Sequence, residues 1–311
     1  MKRILPLLLL LVLPLAAEAQ EHFVFTPQSS AQAQFAGYYA ALEKGFYAEE
    51  GLDVEIVHPF ATQSAVDNIR EGKCQATTLP LTLAMRTIGG GLPLVNILQT
   101  SMNSATVIIS RWGDDPLTMH GAKATAFRAG FGQSAKSFVD MMNLDYEWIT
   151  SASVVNLFIA GAVDVTLGRS FDEYYRILET GIDIPDQAIY RFEDGEYNIQ
   201  QEGVYMTRQY YQHHRKQADA FARASRRGWE WVADHPEAAL DIVMRYTKEL
   251  RIATNRTLQR LMLQEVLRLQ RDHDSGIREF RVRPDMVEKA NHMLVSTGSL
   301  KAPVTLEEIL P

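Results

Sequence analysis

A single cysteine, Cys74, stands among 311 residues. That excludes an intramolecular disulfide, a CxxC redox pair and a cysteine zinc site. Basic residues are in the minority, 31 against 38 acidic ones, for a formal charge of −7. Phosphate binding needs a clustered basic field, so nucleic acid is excluded as a partner. Long apolar runs are also scarce. The one continuous run, residues 4–16, is shorter than the ~20 residues of a membrane-spanning helix. Signatures of catalysis are missing too: no G-x-S-x-G elbow, no H-E-x-x-H and no phosphate-loop Gly-Lys-Ser/Thr occurs. His213-His214 has no second pair at ligand spacing, so no metal site is expected. The sequence therefore predicts no catalytic residue and no cofactor.

What is present begins at the N-terminus. Lys2 and Arg3 precede the apolar run, and Ala17-Glu18-Ala19 follows it. This order is the pattern of a cleaved secretory signal peptide. The expectation is a leader over residues 1–19, a mature start at about Gln20 and a bacterial periplasmic location. Losing Lys2, Arg3 and Glu18 moves the formal charge from −7 to −8. The rest of the chain exceeds one ordinary hydrophobic core and implies two domains.

Short apolar strands then alternate with amphipathic helices. Residues 22–26, 53–58, 77–79 and 94–98 read as strands, with helices over 36–44, 62–71 and 81–88 between them. The pattern restarts with strands at 123–128, 146–150 and 163–167 and helices near 134–143, 151–160 and 171–180. Such alternation implies parallel βαβ units. Residues 111–121, with Gly113, Asp114, Asp115 and Pro116, have linker composition, and 193–201 form a second polar crossing. From Tyr210 onward the chain reads as almost wholly helical, packed on the first α/β unit. The predicted fold class is α/β, a type II periplasmic binding protein with two α/β lobes joined by two hinge crossings. Lobe I is expected over 20–112 and 203–311, and lobe II over 113–202.

In open α/β sheets, ligands sit at strand carboxyl ends and helix N-termini. Four segments occupy that position: residues 27–35 (PQSSAQAQF), 78–82, 99–104 (QTSMNS) and 130–134 (GFGQS). None contains Lys, Arg, Asp or Glu. Amide and hydroxyl groups over aromatic rings suit a neutral, flat, hydrogen-bonding ligand better than an anion. Arg128 and Arg169 are the two cations near enough to change that reading. Asp172-Glu173-Tyr174-Tyr175 opens a helix after a strand; Glu173 there is either a dipole partner or an acceptor for amino groups.

At these residues the chain resembles a known family. Residues 26–40, running into Glu43-Lys44-Gly45-Phe46-Tyr47 and Glu50-Gly51-Leu52-Asp53-Val54, are similar to the opening of substrate-binding proteins related to the thiamine-pyrimidine synthases. The similarity continues through Gln99, the Asp172-Glu173-Tyr174 segment, residues 203–207, 223–229 and 235–239. Such proteins feed ABC importers with pyrimidine precursors of thiamine, riboflavin, or small sulfonates and nitrate. The fungal branch is a synthase with a cysteine-rich signature, which this chain lacks. Asp172 stands where the family often has asparagine.

The resemblance implies a monomeric solute-binding protein that delivers a small molecule to an ABC permease and ATPase, and not an enzyme. The expected ligand is a heteroaromatic such as a formylated aminopyrimidine. Phe25, Phe35, Tyr38 and Phe131 are expected to supply apolar or stacking surface. Gln34, Thr78, Gln99 and Ser134 are expected to direct hydrogen bonds. Glu173 would accept from a ring amino group, with Tyr174 beside it. The alternatives are an exported enzyme processing a pyrimidine or cofactor fragment, a binding protein for riboflavin, a sulfonate or nitrate, and a binding protein serving a sensor.

Overall fold

The computed structural model describes residues 20–59, 64–127, 132–151, 153–273 and 275–311. Two five-stranded sheets organise the chain. The first takes the order β2-β1-β3-β10-β4, from β1 (Glu21–Thr26), β2 (Leu52–Ile56), β3 (Ala76–Pro80), β4 (Leu94–Gln99) and β10 (Glu202–Thr207). The second takes the order β7-β6-β8-β5-β9, from β5 (Thr106–Ser110), β6 (Lys123–Phe127), β7 (Glu147–Ser151), β8 (Val165–Arg169) and β9 (Ile189–Arg191). In each sheet three strands run parallel, and a strand from across the chain pairs antiparallel beside them: β10 against β3 and β4, β5 against β8 and β9.

The principal helices of the first lobe are α1 (Ala36–Glu43), α2 (Ala65–Arg70) and α3 (Leu81–Gly89). Those of the second are α4 (Gly132–Met141), α5 (Val154–Ile159) and α6 (Glu173–Leu178). Four longer ones follow: α7 (Arg215–Asp234), α8 (Pro236–Glu249), α9 (Arg256–Leu269) and α10 (Pro284–Ser296). Among the described residues no helix is long and apolar enough to cross a membrane.

Alternation along β1 turns Phe23 and Phe25 to one face, where Phe23 stacks on Phe221 of α7 and Phe25 packs tilted against it, at ring separations of 4.7 and 5.1 Å. Helices α1 and α7 cross unusually closely. A Cβ on Gly228 would lie 2.1 Å from the Gly37 carbonyl oxygen, and one on Gly37 would lie 2.2 Å from the Trp229 ring. Two glycines thus let two backbones meet and seat Trp229 in a fixed place.

The chain passes between the sheets twice, at residues 100–105 and 195–201. These crossings lie side by side and are laced together. Ser101 Oγ accepts from the Gln201 and Glu202 backbone N–H groups at 2.7 and 2.8 Å. The Thr100 N–H donates to the Glu202 carbonyl at 2.9 Å, and Asn198 binds both Ser104 N–H and Asn103.

Two expectations change here. The second lobe opens before residue 106, because β5 pairs with β8 and β9, whereas sequence placed the boundary at 112/113. Residues 111–121 are a loop within that lobe, tied by the Arg111 N–H to the Asp164 carbonyl at 2.8 Å and by the Tyr146 hydroxyl to the Pro116 carbonyl. The C-terminal helices also do more than cover the first lobe: α9 touches α6, and α10 touches both α3 and α4.

Candidate functional site

A cleft of about 490 Å³ opens between the lobes. Its first-lobe wall comes from the strand ends and helices around Gln28, Gln34, Leu79, Pro80 and Trp229. Phe127, Arg169 and Phe171 face it from the second lobe. The crossings and the head of β10 line it with Thr100, Ser101, Asn103, Gln201 and Glu202, while Val266 and Leu269 of α9 and the adjoining Gln270 line another side. Strand ends, helix ends and crossings meet here because open α/β sheets leave their concavity at the carboxyl edge.

The centre of the polar wall is Glu202, the first residue of β10 and 8% exposed. Its Oε2 accepts from the Gln34 amide, and from the Gln28 amide at 3.4 Å. Its Oε1 is buried without a hydrogen-bond partner among the described residues. Burial pushes the Glu202 carboxyl up to about 8, against the lowering pull of the Gln34 and Gln28 amides and the Arg169 charge. Gln270, 2% exposed, also leaves both amide atoms unpaired. Buried polar groups without partners are uncommon and call for an explanation.

Arg169 is the second-lobe cation lining the cleft, and it is already matched. Its guanidinium donates to Asp172 at 2.6 Å and to both oxygens of Glu173, and reaches Gln34 across the cleft at 3.5 Å. Burial opposes its charge, but Glu173 and Asp172 outweigh that and hold its pKa above the ordinary value. Arg70, on α2, pairs with Asp67 at 2.6 Å.

Of the ten residues expected to bind ligand, Gln34 lines this cleft. Phe25, Phe35 and Tyr38 are fully buried in the first-lobe core. Phe25 packs on Tyr38, Tyr38 edge-on against Trp229, and Phe35 beside His58. Thr78 accepts from the Gln28 N–H at 3.0 Å and so positions a cleft residue. Gln99 donates to the Glu202 carbonyl at 2.9 Å and to the Ser101 carbonyl at 3.2 Å, and accepts from Asn96. It ties the crossings together. Glu173 turns back on its own strand end, accepting from the Arg169 N–H at 2.8 Å. Tyr174 lies under the Arg191 guanidinium and lines a separate polar cavity with Glu193 and Arg268. Phe131 and Arg128 lie outside the described residues, as does the side chain of Ser134.

Arg169, one of the two cations the sequence placed near the cleft, does line it, whereas sequence reasoning missed Glu202, Gln270 and Trp229. The signal for Glu202 was available: Gln200-Gln201-Glu202-Gly203 is a polar cluster heading a buried strand at a crossing. A Cβ on Gly203 would lie 2.4 Å from Gln99 Oε1, so glycine there leaves room for the Gln99 side chain to reach the Glu202 backbone carbonyl.

Two lobes, two laced crossings and a cleft between them define the fold of the periplasmic binding proteins. Solved structures agree. The aliphatic sulphonate-binding protein of Escherichia coli superposes with a TM-score of 0.66 at 10% identity, over 94% of this chain and 92% of that one. The nitrate-binding protein of Synechocystis PCC 6803 gives 0.66 at 15% identity, over 93% and 84%. The family profile described as NMT1/THI5 like matches residues 32–239, and the chain belongs to that family. A formylaminopyrimidine-binding protein of Halalkalibacterium halodurans is 25% identical over 229 residues, 66% of this chain and 64% of that relative's length.

Proposed function

We propose that this chain is the solute-binding component of an ABC importer, exported to the periplasm, with a small neutral heteroaromatic ligand of the aminopyrimidine kind. The observation that carries the reading is the cleft itself. Its volume falls in the ~300–1,000 Å³ range of small-molecule sites, and residues from both lobes and both crossings line it. A ligand touching both walls stabilises the closed arrangement through its differential affinity.

The lining favours a flat, uncharged ligand. Trp229, Phe127 and Phe171 supply aromatic faces, while Gln28, Gln270 and Glu202 supply directed polar groups. Each lining cation carries a carboxylate partner, so a sulfonate or nitrate would have to compete with Glu173 and Asp172 for Arg169. The relative named for formylaminopyrimidine supports the same class. Binding without chemistry is part of the proposal, as are the monomeric state, the leader at 1–19 and lobe limits at the two crossings. Mass spectrometry of whatever copurifies, followed by calorimetric titration with that compound, tests the reading. A stoichiometric nitrogen heterocycle supports it, and a bound sulfonate overturns the ligand class.

A further inference from the structure

Glu202 offers two chemically different oxygens. Both acceptor positions of Oε2 are taken, one by the Gln34 amide and one by the Gln28 amide. Glu202 lines the cleft, and its Oε1 is buried with no hydrogen-bond partner among the described residues. Two N–H donors aimed at one oxygen leave no room for a proton there. In the neutral acid the proton must therefore reside on Oε1. Resting on the heteroaromatic-binding reading above, we propose that Glu202 presents Oε1 as a hydrogen-bond donor, and that the ligand answers it with a neutral ring nitrogen. Glu202 is then the residue that selects an aza-ring over its carbocyclic counterpart.

The surroundings keep the acid neutral. Burial raises the carboxyl to about 8, so below that pH the donor is in place. Of the groups that face it, Arg169 from β8 is held by Asp172 and Glu173. Tyr38 and Tyr39 of α1 have hydroxyls raised well above the ordinary tyrosine range, chiefly by burial. Asp67 and Arg70 of α2 pair with each other, and burial lowers His58. The flanking strands β3 and β4 bring no titratable side chain. Arg86 of α3 and the helix Arg208–His213, also packed against β10, do not line the cleft. Over the window around pH 8, Glu202 is thus the cleft group expected to change charge.

The experiment is calorimetric titration of the full chain with formylaminopyrimidine at a series of pH values, for wild type, Glu202→Gln and Glu202→Leu. Wild type should bind well near neutrality and weaken about tenfold per pH unit above about 8, as a carboxylate comes to oppose the ring lone pair. Glu202→Gln keeps a carbonyl toward Gln34 and Gln28 and an N–H toward the ligand. It should bind within a few-fold of wild type at neutral pH and lose the alkaline decline. Glu202→Leu should lose at least about tenfold. The benzene analogue, lacking the ring nitrogens, should bind wild type at least about tenfold more weakly. Affinity that rises with pH, or Glu202→Gln as damaged as Glu202→Leu, overturns the donor assignment and leaves the importer reading intact. Should Glu202→Leu not fold, the wild-type pH profile and Glu202→Gln still decide. A wild type that ignores formylaminopyrimidine altogether overturns both this inference and the aminopyrimidine class.

Discussion

Arg169 closes a ring with Glu173: its backbone N–H donates to Oε2 at 2.8 Å and its side-chain Nε donates to the same oxygen at 2.9 Å. The cation at the cleft is thereby fixed in position and largely neutralised by the residue that sequence reading offered as a ligand acceptor. Glu173 sets the position and the charge balance of Arg169 at the cleft.

Glu173→Gln separates these roles. Replacing the carboxylate keeps the size but removes its charge and one acceptor, leaving the buried guanidinium less well matched. We expect a stability loss of about 1–3 kcal/mol in ligand-free melting. Titration should also show tighter binding of small sulfonates, because Arg169 gains unbalanced charge. Unchanged stability with a large loss of heteroaromatic affinity would instead make Glu173 a direct ligand contact.

Glu202 sets a pH dependence with a definite sign. The folded carboxyl titrates at about 8, above its ordinary value of 4.5. Between these values the unfolded chain releases its proton while the folded chain keeps it. This group's contribution to stability is therefore greatest in acid, declines as pH rises through the window, and is level above about 8. Glu202→Gln has no such proton. The stability of ligand-free Glu202→Gln relative to wild type should rise from about pH 5 to about pH 8 in denaturant titrations; a flat difference would mean that Glu202 is not buried as described.

Gly228→Ala should damage both fold and site. Its Cβ would meet the Gly37 carbonyl at 2.1 Å and Ala41 Cβ at 2.8 Å, and backbone on a packed helix yields little. Overpacking of this kind costs about 1–3 kcal/mol. Because Trp229 is the next residue and lines the cleft, ligand affinity should fall with the melting temperature. A stable variant with normal binding would show that α1 and α7 are not locked.

The strands and helices were legible because local signals agree with burial. Gly45 and Gly72, each just past a helix expected from sequence, adopt φ of 74° and 69°, a conformation glycine takes without steric penalty. β5 was missed because its apolar run, TVIIS, borders the Gly- and Asp-rich stretch that looked like a linker. Its place is fixed by partners far along the chain. The site was harder for the same reason. Gln34 and Gln99 both lie in polar segments at strand ends, yet one lines the cleft and the other binds the Glu202 carbonyl. Only the return of the chain at residue 202 decides between them, and no local pattern carries that information.

The most direct test of the central claim is native mass spectrometry of the freshly purified protein, with the released small molecule then identified by fragmentation. The account predicts one bound nitrogen heterocycle per chain, uncharged at neutral pH, whose readdition to stripped protein restores the complex and raises its melting temperature. A sulfonate or nitrate held stoichiometrically at the cleft, or a heterocycle that leaves chemically altered, would contradict it.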